Sequence, residues 1–203
     1  MRLRTLAAVI APATLIVVSH PTLASASSTP TCMGHRATIV GTAGNDVIRG
    51  TRHADVIVAR GGHDVIHARG GNDIICAGAG RDIVYAGSGA DRISAGRGAD
   101  VVYGGGGADV EYGNIGDDTL NGGAGDDTLN GGYGADVEDG NGGDDTINGD
   151  AGDDTLNGGY GDDQLNGDQG DDELNGDQGQ DVEDGGSGTD TCDATTNDCQ
   201  GDQ

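Results

Sequence analysis

An aspartate stands at every ninth residue from Asp46 to Asp190, seventeen times without a slip. The column is Asp46, Asp55, Asp64, Asp73, Asp82, Asp91, Asp100, Asp109, Asp118, Asp127, Asp136, Asp145, Asp154, Asp163, Asp172, Asp181 and Asp190. A carboxylate returning at so short an interval is a hard oxygen ligand of the kind calcium takes, and no softer ligand recurs beside it. The other candidates for chemistry fail. His63 and His67 are spaced like a zinc pair on a helix, but Gly61, Gly62, Gly70 and Gly71 exclude a helix there. On extended chain four residues span roughly 13 Å, too far for one metal. The pair Asp117–Asp118 resembles an acid/base couple, yet it recurs in most C-terminal units, as a repeated ligand or a solvated face would. No enzyme activity is expected.

The residues between the aspartates define what positions them. With Asp at position 6 of a nine-residue unit, position 4 is Gly in sixteen units, the exception being His53. Position 8 is aliphatic in thirteen, from Ile48 to Leu174, and the exceptions are Glu111, Glu138, Glu183 and Cys192. A fixed short period is the mark of a solenoid of stacked units. Glycines at positions 1, 2 and 4 permit positive φ and close backbone approach. A strand over positions 7 to 9 sends the aliphatic residue to one face and its neighbours to the other. One buried aliphatic per nine ordered residues does not offset the conformational entropy of the chain, so bound metal is expected to complete the fold.

The pattern, seen most fully in units such as GGAGDDTLN (122–130) and GDAGDDTLN (149–157), resembles the G-G-x-G-x-D-x-U-x nonapeptide of the RTX calcium-binding proteins, over about three quarters of the chain. The resemblance implies an all-β parallel β-roll of about 17 units, with positions 1 to 6 forming a tight turn and positions 7 to 9 a short strand. It implies two units per coil and several calcium ions, each between the turns of units n and n+2, held by position-6 carboxylates and loop carbonyls. The strongest ligands are expected from Asp100 to Asp190. Asp46, Asp55, Asp64, Asp73, Asp82 and Asp91 are expected to be weaker, because their units often carry Ala at position 1 and lack a second Asp at position 5.

Residues 1–26 read as a secretory signal: Arg2 and Arg4, an apolar run from Leu6 to Val18, and Ala24-Ser25-Ala26 before the cut. That run is too short for a membrane span and contains Pro12. Residues 27–40 are then an N-terminal cap, 41–193 the roll and 194–203 a C-terminal cap or tail. With so short a leader, no catalytic domain is expected ahead of the repeats. The segment from Cys32 to Thr42 is similar to that of small secreted bacterial proteins made almost wholly of these repeats, and a secreted, extracellular location is expected. Four cysteines in an exported chain argue for disulfides. Cys192 with Cys199 and Cys32 with Cys76 are the expected pairs, closing the two ends.

Charge divides the chain. All ten basic residues are Arg, none beyond Arg97, whereas 29 acids and no base lie from Ala99 to Gln203; the formal net charge is −25. Such a balance argues against nucleic acid and for cations. Arg49, Arg52, Arg60, Arg69, Arg81, Arg92 and Arg97 either offset the N-terminal Asp column or are solvated surface. Glu111, Glu138 and Glu183 stand where an inward aliphatic belongs, each after a valine. A lone ionised Glu in a thin core is costly, so the local strand is expected to shift and point Val110, Val137 and Val182 inward. The Thr and Asn of the T-L-N triplets face outward and offer flat polar faces to a polysaccharide, cell-surface or ice partner, although V-E-D units interrupt the Thr runs.

Overall fold

A computed structural model describes residues 29–193. The expected signal segment 1–26, the tail 194–203 and Cys199 lie outside the described residues.

Inward-facing aliphatics at one position in nine can share a core only if successive units stack, and the pairing does this with a step of eighteen residues. Val101 pairs with Thr119 and Val102 with Leu120, in parallel. Alternate units therefore enter opposite sheets, each of nine parallel strands. The result is an all-β parallel solenoid of about nine turns, two units to the turn. No helix among the described residues is long and apolar enough to cross a membrane.

Two sequence expectations about the strands are corrected. The stack holds one strand more than the seventeen units supply, because Ile39 and Val40 pair with Ile57 and Val58. Segment 27–40 thus gives a small antiparallel hairpin, Thr31–Cys32 with His35–Arg36, and then the first strand of the array. Most strands also run six residues, from position 7 to position 3 of the next unit, as in Thr119–Ala124. Pairing skips position 1, where the strand bends: Tyr103 pairs with Asn121 and Gly105 with Gly123, around Gly104.

From Arg60 onward position 2 has positive φ even without glycine, at 86° for Arg60, 79° for Asn114 and 70° for Asp150. Position 1 does not. Its glycine answers a close approach instead, since a Cβ on Gly122 would stand 2.5 Å from Asp127 Oδ2.

The core is a single column of position-8 side chains, among them Ile57, Ile93, Leu129 and Leu165. In the N-terminal half Ala59, Ala68, Ala77, Ala86 and Ala95 at position 1 join it. The later units carry glycine there, so their core is thinner. The expected shift at the glutamates does not occur. Glu111 pairs with Ile93 on one side and Leu129 on the other, and Glu111 and Glu138 are 0% exposed. Val137 and Val182 face out, 47% and 61% exposed. For Glu111 and Glu138 a one-residue slip would flip every side chain of a strand already paired on both sides, which outweighs the cost of one inward carboxyl in that strand.

Cys32 is bonded to Cys76, with Cα atoms 5.7 Å apart, and ties the hairpin to the strand Ile74–Ala79. The expected Cys192–Cys199 pair involves Cys199, outside the described residues. On the outer face His67, Tyr85 and Tyr103 stack along one sheet, with ring centroids 4.9 and 5.1 Å apart and planes within 7° and 5°. That spacing is close to the strand separation of a sheet, so equal positions on successive turns stack without distortion.

Candidate cation site

The aspartate column becomes two columns, one along each edge of the roll where a turn precedes a strand. Every carboxylate from Asp64 onward accepts, through Oδ1, the main-chain N–H of the aspartate eighteen residues earlier, at 2.7 Å for Asp46 to Asp64 and 3.0 Å for Asp172 to Asp190. The same Asp46 carbonyl receives the Val65 N–H. Position 5 makes a second ladder in the opposite sense. Asn45, His63, Asp117, Asp126 and Asp144 each accept the N–H of the position-5 residue eighteen later, as Arg81 N–H to His63 Nδ1 at 2.7 Å.

Once Oδ1 is used, Oδ2 remains. It is buried and accepts no hydrogen bond in Asp64, Asp73, Asp82, Asp91, Asp100, Asp109, Asp118, Asp127, Asp136, Asp145, Asp154, Asp163, Asp172, Asp181 and Asp190. A row of buried carboxylate oxygens without donors is costly for a bare chain, and it is the arrangement a hard cation relieves. Burial pushes Asp91, Asp118, Asp127 and Asp154 up to about 7, against the lowering effect of the N–H bond each accepts. The same cause takes Asp73, Asp100, Asp109, Asp136 and Asp145 to about 6.

The first two aspartates differ. Asp46 Oδ2 receives the N–H of Thr42 at 2.6 Å and its hydroxyl at 3.0 Å, and Thr51 does the same for Asp55. Thr occupies position 2 only in these two units. The seven arginines of the roll are exposed, and none is among the groups that act on Asp64, Asp73, Asp82 or Asp91; His63 acts on Asp64 and Asp82. The solvated-surface reading of those arginines is the one their placement matches.

Among the described residues no three His, Cys, Asp or Glu side chains gather as a metal site. A cation here would take one or two carboxylates and complete its shell from main-chain carbonyls. The position-1 carbonyl two units on is near at hand: a Cβ on Gly113 would stand 2.6 Å from both Asp118 Oδ2 and Gly131 O.

A four-copy model of the RTX calcium-binding nonapeptide repeat matches residues 36–64, 50–84, 77–111, 112–147, 139–174 and 157–192. The chain belongs to the RTX repeat family. No curated protein matches it. RTX nonapeptide repeats bind calcium, and the residues present fit that ion: one carboxylate oxygen per unit is left without a donor, and carbonyls lie beside it. The RTX match begins at Arg36, so it takes in the strand Ile39–Val40 that the spacing of aspartates alone did not reveal. The triplet Thr38-Ile39-Val40 has the strand pattern of a unit, and that was the available signal.

Proposed function

We propose that this protein is a secreted, extracellular calcium-binding RTX β-roll with no enzyme activity of its own, whose folding is completed by several calcium ions held along both edges. The observation that carries the reading is the row of buried Oδ2 atoms without donors from Asp64 to Asp190. The units from Gly104 onward are the stronger binders on this reading, since glycine at position 1 leaves the corner beside Oδ2 open while Ala59 to Ala95 fill it with a methyl group. At free calcium 100 times a site's dissociation constant, binding contributes about 2.7 kcal/mol per independent site, and extracellular sites bind at roughly 0.1 to 1 mM. Chelation should expand the purified chain and sharply reduce its β-sheet circular dichroism, and calcium should restore both. An unchanged hydrodynamic radius and spectrum in excess chelator would overturn the proposal.

A second reading, adhesion to a polysaccharide at a cell surface, is favoured by one feature. The outer corner of one sheet forms an open groove lined by Tyr112, Asn114, Ile115, Asn130, Tyr133 and Asp150. Tyrosine rings, Tyr133 exposed and Tyr112 half-buried, flanked by amides on a rigid backbone suit a neutral glycan, with sugar faces on the rings and hydroxyls on the amides. Retention on neutral polysaccharide that is lost in Y112A/Y133A would support it, and no retention would remove it.

A further inference from the structure

Two side chains in the core are not explained by the turn sites. Glu111 and Glu138 replace the inward aliphatic, are fully buried, and neither oxygen of either accepts a hydrogen bond. The N–H groups of Gly104 and Asn121 point toward Glu111, and that of Gly131 toward Glu138, but all fall short of hydrogen-bond geometry. Glu183 differs, because its Oε1 accepts the Gly176 N–H at 2.8 Å.

The surroundings of Glu111 are oxygen on several sides. A methyl group built on Gly104 would stand 2.5 Å from Asp109 Oδ2, 2.5 Å from Glu111 Oε1 and 2.7 Å from Gly122 O. Those three atoms come from one turn and its neighbour and are close enough to share one ion. Asp109 Oδ2 is itself buried without a donor, as is Oδ2 of the next aspartate in the column, Asp127. Glu138 likewise stands between two aspartates of its column. A methyl group on Gly131 would lie 2.5 Å from Asp136 Oδ2, and Asp136 and Asp154, the two aspartates flanking Glu138, both have Oδ2 free of donors. Two carboxylates and a carbonyl facing inward match the hard, charge-balanced shell that a divalent cation of calcium's size accepts, and leaving both carboxylates buried and unpaired is the costly alternative.

We infer that Glu111, with Asp109 and Gly122 O, and Glu138, beside Asp136, each add a core-facing carboxylate to the calcium site at their own turn, so that these two turns hold calcium more tightly than turns with an aliphatic residue at position 8. The inference rests on the calcium-binding reading of the chain and adds ligands from position 8.

Calcium affinity tests it, measured on the purified chain by equilibrium dialysis. Leucine already fills position 8 at Leu120, Leu129 and Leu156, so E111L and E138L place a residue the fold accepts there. Each is expected to weaken the binding of one ion about tenfold or more, while circular dichroism at saturating calcium stays that of the parent. The isosteric E111Q and E138Q, which keep volume and an acceptor oxygen but drop the charge, should weaken one ion's affinity about tenfold or more, and they decide the matter if a leucine variant does not fold. Unchanged affinity in all four variants would overturn the role of these glutamates as ligands. If the parent chain binds no calcium, the broader proposal fails instead, so the two failures are distinguishable.

Discussion

Thr51 gives both its N–H and its hydroxyl to Asp55, the nitrogen lying 2.8 Å and Oγ1 2.9 Å from Oδ2. Oγ1 also lies 3.1 Å from the His53 carbonyl, so one side chain bridges the two kinds of oxygen that a cation would otherwise bridge. The first turn is therefore closed by protein donors. Hydrogen exchange during calcium removal should show the turns from Gly104 onward losing protection first, while residues 41–58 keep theirs longest. Simultaneous loss along the whole array would rule this order out.

The T42V/T51V double variant removes both hydroxyls from buried or half-buried carboxylates. Neither threonine has positive φ, so valine is sterically acceptable. A hydrogen bond to a charged group contributes about 1.5 to 3 kcal/mol, and denaturation in chelator should show a loss of that order per site. With calcium present the loss should shrink if the freed oxygens then recruit an ion.

Without metal, stability should fall as pH rises. Asp91, Asp118, Asp127 and Asp154 are raised to about 7 in the folded chain from an ordinary 3.8, chiefly by burial. The folded state then binds more protons than the unfolded one between those values, so ∂ΔG/∂pH of unfolding is negative there. Their stabilising contribution is complete below 3.8 and is lost as pH climbs through about 7. Residual circular dichroism in chelator should be greater at pH 5 than at pH 8. Calcium affinity should move the other way, rising with pH as binding displaces protons. Equal spectra at both pH values would contradict the burial of these groups.

Replacing Gly131 with alanine would set a methyl group 2.5 Å from Asp136 Oδ2. The carboxylate must give way. G131A should fold but require more calcium to do so, by about 1 to 3 kcal/mol in the linked folding free energy. An unaltered calcium midpoint would show that this corner is not part of a site.

Serine at Cys32 and Cys76 opens a link between residues 44 apart in sequence. A chain-entropy estimate puts that closure at about 4 kcal/mol. The loss should appear in denaturation of the calcium-loaded protein and as faster exchange from Thr31 to Ala79, with little change beyond Gly104.

The aspartate columns, the alternation of sheets and the inward aliphatics were legible because a parallel ladder with a step of two units repeats each chemical requirement at the same position. Where main-chain pairing is the chief requirement, the sequence carried only a faint signal. Ile39–Val40 joins the sheet through main-chain bonds and needs no glycine or aspartate. The extension of each strand through position 3 likewise rests on main-chain pairing, as between Gly106 and Ala124. Glu111 and Glu138 misled for the opposite reason. Their side chains argue for a shifted strand, but pairing to neighbours on both sides holds the register, and that collective constraint cannot be seen in one unit. The roles of Thr42 and Thr51 were also hidden, since a threonine four residues before an aspartate has no meaning until the turn folds it back.

The eighteen-residue step makes the chain countable in only one way. Removing or adding two units returns every aspartate to its own edge, His67 to the column of Tyr85 and Tyr103, and each ladder bond to an equivalent partner. Removing the single unit between His67 and Tyr85 moves everything downstream to the opposite sheet, so that Tyr85 and Tyr103 would join the column of Val58 and Ser94 would take their place beside His67. Length variation by duplication or loss, in nature or by design, is thus quantised in whole turns, and the outward-facing chemistry of each sheet is inherited as a stripe.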